Sequence, residues 1–97
     1  MNHVTLQGHF SAVAEERTLP SGDVIAVFRL VVPREDGSRV DTIDCAVSGA
    51  RLRKRTLRVR AGDEIVIEGA LHRRFWKTPS GIASRYEVAV HSLERVS

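Results

Sequence analysis

A single cysteine, Cys45, stands in the whole chain, so no disulfide can form within it. That excludes a small fold stapled by bridges and fits a reducing compartment. Cys45 lies in the run Ile43-Asp44-Cys45-Ala46-Val47, where a small buried apolar side chain explains it better than a reactive thiol does. Aromatic residues are scarce: three Phe, one Tyr and one Trp. No apolar stretch approaches the ~20 residues that a membrane-spanning helix needs, so no membrane partner is expected. The opening Met1-Asn2-His3-Val4 lacks the charged and then apolar pattern of an export signal. A cytoplasmic location is the expectation. His3 and His9 would lie about 20 Å apart on an extended strand. No pairing of His3, His9, His72, His91 or Cys45 has metal-ligand spacing. There is no Walker motif, no nucleophile elbow and no HExxH. The sequence therefore points to no enzyme, no metal and no cofactor.

What is present suits one soluble domain over residues 1–97, with 42% hydrophobic and 28% charged residues. A chain of this size buries roughly 60–70% of its unfolded surface, enough for a modest core. The net charge is +3, unevenly spread. Residues 1–50 hold 4 basic and 7 acidic side chains, residues 51–85 hold 10 and 3, and residues 86–97 hold 1 and 2. The middle segment can offer a positive surface to phosphates, or remain a solvated face with counter-ions.

Val4, Leu6, Gly8 and Phe10 alternate with His3, Thr5, Gln7 and His9, the period of a half-buried strand. Leu19-Pro20-Ser21-Gly22 marks a turn. Residues 23–33 read as a β-branched strand closed by Pro33, which cannot donate to a ladder. Glu35-Asp36-Gly37-Ser38 turns the chain into a third strand over residues 40–48. Residues 50–60 contain good helix formers and no turn chemistry, which predicts a short, poorly amphipathic helix ended by Gly62-Asp63. A fourth strand runs from Glu64 to about Trp76. Thr78-Pro79-Ser80-Gly81 turns into a fifth over residues 82–96. Five strands with one helix between the third and fourth give the order of an all-β OB-fold, a five-stranded Greek-key barrel. Its usual binding surface is the face of strands two and three, flanked by the loops between strands one and two and between four and five.

At the level of residues the chain resembles the DNA-binding core of the bacterial single-stranded DNA-binding protein family. Asn2-His3-Val4-Thr5-Leu6-Gln7-Gly8 resembles the family's opening strand, and Glu15-Glu16-Arg17 with Leu19-Pro20-Ser21-Gly22 its following turn. Phe28-Arg29-Leu30, Asp41-Thr42-Ile43-Asp44 with Gly49, Glu68-Gly69 with Val66 and Leu71, and Tyr86-Glu87-Val88 continue the likeness in order. The resemblance implies an OB-fold, binding of single-stranded DNA without base preference, and assembly as a homo-oligomer, usually a tetramer, with a dimer as the alternative. Three departures stand out. Thr42 and Ser48 occupy positions where the family often carries aromatics. Ala50 replaces a usual basic residue. Residues 51–60 carry six basic side chains and no acid. The sequence stops at Ser97 without the family's linker and acidic tip, so no recruitment of other proteins through a tail is expected.

Coating of single strands needs cations along the backbone path and flat side chains for stacking. The cluster Arg73-Arg74-Phe75-Trp76-Lys77 offers both. Trp76 aligns with a stacking tryptophan of the family, and Arg74 and Lys77 lie beside it. By alternation Phe75 and Trp76 face opposite ways, with Phe75 in the core, unless the hairpin turns both outward. Arg29, between Phe28 and Leu30, should point outward on the second strand toward phosphates. Arg17 and Arg34 are loop candidates. Tyr86 is a stacking candidate, with core or interface packing as the alternative. The basic run is a solvated helix residue by residue, and as a group an extension of a wrapped strand's path.

The leading expectation is a tail-less accessory single-stranded DNA-binding protein acting in replication, recombination or repair. A primosomal replication-restart protein of the same fold is an alternative. A third reading, an OB-fold protein-interaction module with weak DNA binding, is favoured by Thr42 and Ser48.

Overall fold

The computed structural model describes residues 1–96. In chain order the elements are β1 (Val4–Phe10), β2 (Glu15–Thr18), β3 (Val24–Pro33), β4 (Val40–Val47), α1 (Ala50–Thr56), β5 (Glu64–Thr78) and β6 (Gly81–Arg95). The strands form one sheet in the order β1-β5-β6-β4-β3-β2, and a β1–β3 pairing closes it on itself. All pairings are antiparallel except β4–β6, where Cys45 and Ala46 run parallel beside Val88 and Ala89. The result is the expected OB-fold barrel of five strands, with the helix between its third and fourth.

Period-two alternation builds the core. Phe10, Phe28, Leu30, Cys45, Val47, Ile65, Ile67, Val88 and Val90 all point inward and are buried. The Phe10 and Phe28 rings stack with centroids 4.1 Å apart, joining the end of β1 to the middle of β3. Closure needs close backbone approach at two points. A Cβ on Gly8 would run into the Val31 carbonyl of β3, and one on Gly69 into the Ala89 carbonyl of β6. Gly69 also sits at the irregularity in the β5–β6 register, between Glu68 and Gly69. Only glycine leaves room for these crossings.

Two expectations need correction. Residues 15–18 form an additional strand, β2, pairing from Glu15↔Val27 to Thr18↔Val24. All four of its residues are exposed, so they carry no apolar alternation. The strand is an edge, held by the half of β3 that β1 does not reach. The helix ends at Thr56 rather than at residue 60. Thr56 is fully buried and its Oγ1 donates to the Leu52 carbonyl at 2.8 Å. The next amides, of Arg58 and Val59, turn to carbonyls three residues back, at 3.1 and 3.2 Å. Val59 is buried in the core just past this tightened turn. Arg58 and Arg60 lie beyond the helix.

The β5–β6 hairpin outruns the barrel. The β1–β5 ladder stops at Val4↔Gly69. One further tie follows: the Asn2 side-chain amide donates to the Leu71 carbonyl at 2.7 Å and accepts from the Leu71 N–H at 2.9 Å. A side chain here imitates one rung of sheet. Beyond Leu71, β5 pairs with β6 alone.

Candidate functional site

A groove of about 450 Å³ crosses the outer face of β3 and β4. Residues 11–13 and β2 wall it on one side, and the β5–β6 hairpin on the other. It occupies the face of the second and third barrel strands, between the two loops that the fold predicts.

Strand alternation supplies its side chains. Phe28 and Leu30 fill the core, so Arg29 between them turns outward, opposite Asp44 in the β3–β4 register. On the hairpin, Arg74 lies opposite Arg85, and Trp76 two residues further along β5. Arg17 and Glu15 come from β2. The expected residues Arg17, Arg29, Arg74 and Trp76 thus line one groove. Trp76 is 45% exposed, so its ring is open to a ligand.

The groove is less cationic than its arginines imply. Each pairs with a carboxylate: Arg17 with Glu15 at 3.7 Å, Arg29 with Asp44 at 3.3 Å, and Arg74 with Glu87 at 3.5 Å. Asp44 holds a second guanidinium, that of Arg85, at 3.4 Å. The arginines are oriented in advance, yet an incoming phosphate must displace carboxylates. Arg85 is a groove residue that the sequence reading misses. Counting back from the Thr78-Pro79-Ser80-Gly81 turn sets it opposite Arg74, and that hairpin register is the signal that finds it.

The other candidates lie elsewhere. Arg73 and Tyr86 face each other across the hairpin on the side opposite Trp76. Arg73 donates to Ser84 Oγ at 3.1 and 2.8 Å. Its guanidinium lies 5.1 Å from the Phe75 ring centre and 5.3 Å from that of Tyr86. Lys77 shares this side by alternation, so it does not stand beside Trp76 in the groove. Phe75 is 64% exposed, so of its two expected places the core is excluded and the outward one holds: beyond Leu71 the hairpin leaves both rings exposed. Tyr86 is likewise exposed. Arg34 lies at the β3–β4 turn, where its Nε and Nη2 donate to Asp41 Oδ1 at 3.3 and 3.1 Å, outside the groove. Thr42 and Ser48 are exposed and do not line it.

Cys45 lies beneath the groove, 1% exposed. Burial, reinforced by Asp44 and Glu87, pushes its thiol up to about 12, which keeps it neutral and unreactive. Among the described residues no cluster of three potential metal ligands exists. No helix of the described chain is long and apolar enough to cross a membrane.

The sequence model of the Single-strand binding protein family matches residues 1–96. Among solved structures, the chain is similar to one described as "Plasmodium falciparum SSB complex with ssDNA", at 22% sequence identity and a TM-score of 0.81. That alignment covers 100% of this chain and 96% of the other. No curated protein sequence matches the chain.

Proposed function

The chain belongs to the single-strand binding protein family, and from that premise we propose that it coats single-stranded DNA without regard to base sequence, in replication, recombination or repair. The observation that supports this reading most is the groove itself. An exposed tryptophan and four arginines line one channel on the outer face of the barrel. Stacking on Trp76 serves any base, because every base has a π-face, and the guanidiniums follow the backbone. On the far side of the hairpin, Phe75, Tyr86, Arg73 and Lys77 form a second surface of the same chemistry. A strand leaving the groove around the hairpin would meet it. In this reading the protein binds and protects, and catalyses nothing.

A homo-oligomer, with a tetramer as the leading form, goes with the reading. Val4 to Gly8 of β1 pair with β5 on one edge only, since the β1–β3 register involves His9 and Phe10 alone. The open edge, with the exposed side chains of His3, Thr5 and Gln7, suits pairing across a two-fold axis. Light scattering at micromolar concentration tests it, and a monomer mass would remove it. A cytoplasmic location also fits, the lone thiol of Cys45 being unpaired.

A protein-interaction module with weak DNA binding is the second reading. The pairing of the groove arginines with Glu15, Asp44 and Glu87 favours it, as do the non-aromatic Thr42 and Ser48.

Titration of Trp76 fluorescence with oligo(dT), with duplex DNA and at rising salt separates the two. Anisotropy of labelled oligo(dT) is followed on the same samples. Quenching by oligo(dT), little by duplex, and affinity falling with salt support coating of single strands. If neither signal moves at low salt, the interaction module takes the lead.

A further inference from the structure

The cationic run from Arg51 to Arg60, which spans α1 and the segment after it, is absorbed neither by the groove nor by the core. A second, shallower groove lies where α1 packs against β6, lined by Arg51, Lys54, Arg55, Arg58, His91 and Glu94, among others. Arg55 is engaged, 2.9 Å from Glu94. Arg53 is also occupied. It bonds to the Val24 and Ser48 carbonyls and pairs with Glu16 at 3.4 Å, so it holds the helix to β3 and β2. Arg51, Lys54 and Arg58 differ. All three are exposed, and none pairs with a carboxylate among the described residues.

The two grooves are therefore opposites. The first holds an exposed aromatic ring and arginines neutralised in pairs. The second holds free cations and, apart from the imidazole of His91, no aromatic ring. With no Trp, Tyr or Phe it lacks the broad stacking platform of the first groove, and with free cations it can take the sugar-phosphate backbone. Each phosphate that an unpaired cation neutralises releases counter-ions condensed on the nucleic acid, whereas a paired arginine must first give up the carboxylate that it already neutralises.

We propose that Arg51, Lys54 and Arg58 form a second nucleic-acid site that binds the phosphate backbone alone, accepts single and double strands alike, and carries most of the salt dependence of binding. This deepens the single-strand reading and rests on it for the first groove.

The test is the triple variant Arg51→Gln/Lys54→Gln/Arg58→Gln, with Arg51→Lys/Arg58→Lys as the charge-keeping control. Anisotropy follows labelled duplex DNA and a long oligo(dT) across a salt series, while Trp76 fluorescence follows a short oligo(dT). Unchanged quenching by the short oligomer also certifies that the triple variant is folded. The wild type should bind duplex at low salt without quenching Trp76. The triple variant should lose at least tenfold in duplex affinity, and the Lys control should keep it. For long oligo(dT), the slope of log affinity against log salt should shrink by about 2, roughly 0.7 for each phosphate no longer neutralised. Unchanged duplex affinity and an unchanged slope would overturn the proposal. So would binding of a poly-glutamate peptide that depends on the three residues while neither nucleic acid responds, which would assign the surface to an acidic protein. Failure of oligo(dT) to bind the wild type in the Trp76 channel would remove the single-strand reading instead, and the duplex result would still decide the second site.

Discussion

The guanidinium of Arg85 lies 5.9 Å from the centre of the Trp76 ring while its Nη1 stands 3.4 Å from Asp44 Oδ2. One arginine thus touches the aromatic surface and the carboxylate that also holds Arg29. The ring keeps 45% exposure beside it. Trp76→Ala should weaken oligo(dT) binding by about 1–3 kcal/mol, the range for loss of one stacked base. Trp76→Phe should recover most of it. Anisotropy with a labelled oligomer measures both, and an unaffected alanine variant would remove Trp76 from the interface.

Asp44 opposes the ligand that the groove is proposed to take. It neutralises two guanidiniums and places a negative charge on the phosphate path. Asp44→Asn should tighten oligo(dT) binding at low salt by about 1 kcal/mol, the size of one such repulsion in a hydrated groove. The gain should fade as salt screens it. Weaker binding in the asparagine variant would mean that holding Arg29 and Arg85 in position matters more than the repulsion.

Barrel closure depends on two glycines lacking a Cβ. Gly8→Ala drives a methyl into the Val31 carbonyl, and Gly69→Ala into the Ala89 carbonyl. Both obstructing atoms are backbone, which cannot swing aside as a side chain can. Each substitution should cost about 1–3 kcal/mol, as overpacking does, read as a lower midpoint in urea unfolding. An unchanged midpoint would mean that the crossing strands separate freely.

Cys45 sets an alkaline limit on stability. Its folded pKa is raised from 9.0 to about 12, so the unfolded chain loses the thiol proton first as pH rises. The contribution is fully present below pH 9.0 and is lost as pH climbs toward about 12. The decline is at most about 1.4 kcal/mol per pH unit. Urea unfolding at about pH 8 and about pH 10.5 should show this decline in the wild type and a flatter one in Cys45→Ala. Equal slopes would place the alkaline loss on other groups.

Much of the architecture is legible in the residues. Alternation in Val4–Phe10 and around Arg29 assigns inward and outward faces correctly, because one buried side enforces a period of two. Strand order and the helix position follow from turn chemistry. β2 is hidden because an all-exposed edge strand has no apolar pattern to detect. The helix end is hidden because Thr56 and Val59 are buried by tertiary packing, while the residues around them are uniformly good helix formers. The place of Phe75 stays open in the sequence, core or outward, because alternation states only that it opposes Trp76. It cannot say that the hairpin has already left the barrel. The pairing of Arg85 and Asp44 depends on β6 crossing to lie beside β4, which joins positions 41 residues apart.

The Asn2 amide on the Leu71 backbone marks where the protein stops unfolding as one unit. On the barrel side, each strand of the hairpin has a second neighbour to hold it. Beyond the tie, the two strands hold only each other, and an isolated hairpin is marginal in water. Amide hydrogens of residues 73–86 should therefore exchange through a local opening that leaves the core shut, and those of Ile65, Ile67 and Val90 should wait for global unfolding. The hairpin wall of the groove, with Arg74, Trp76 and Arg85, belongs to the faster class. A bound strand would be read most sensitively as slowed exchange there, with the barrel's own clock unchanged.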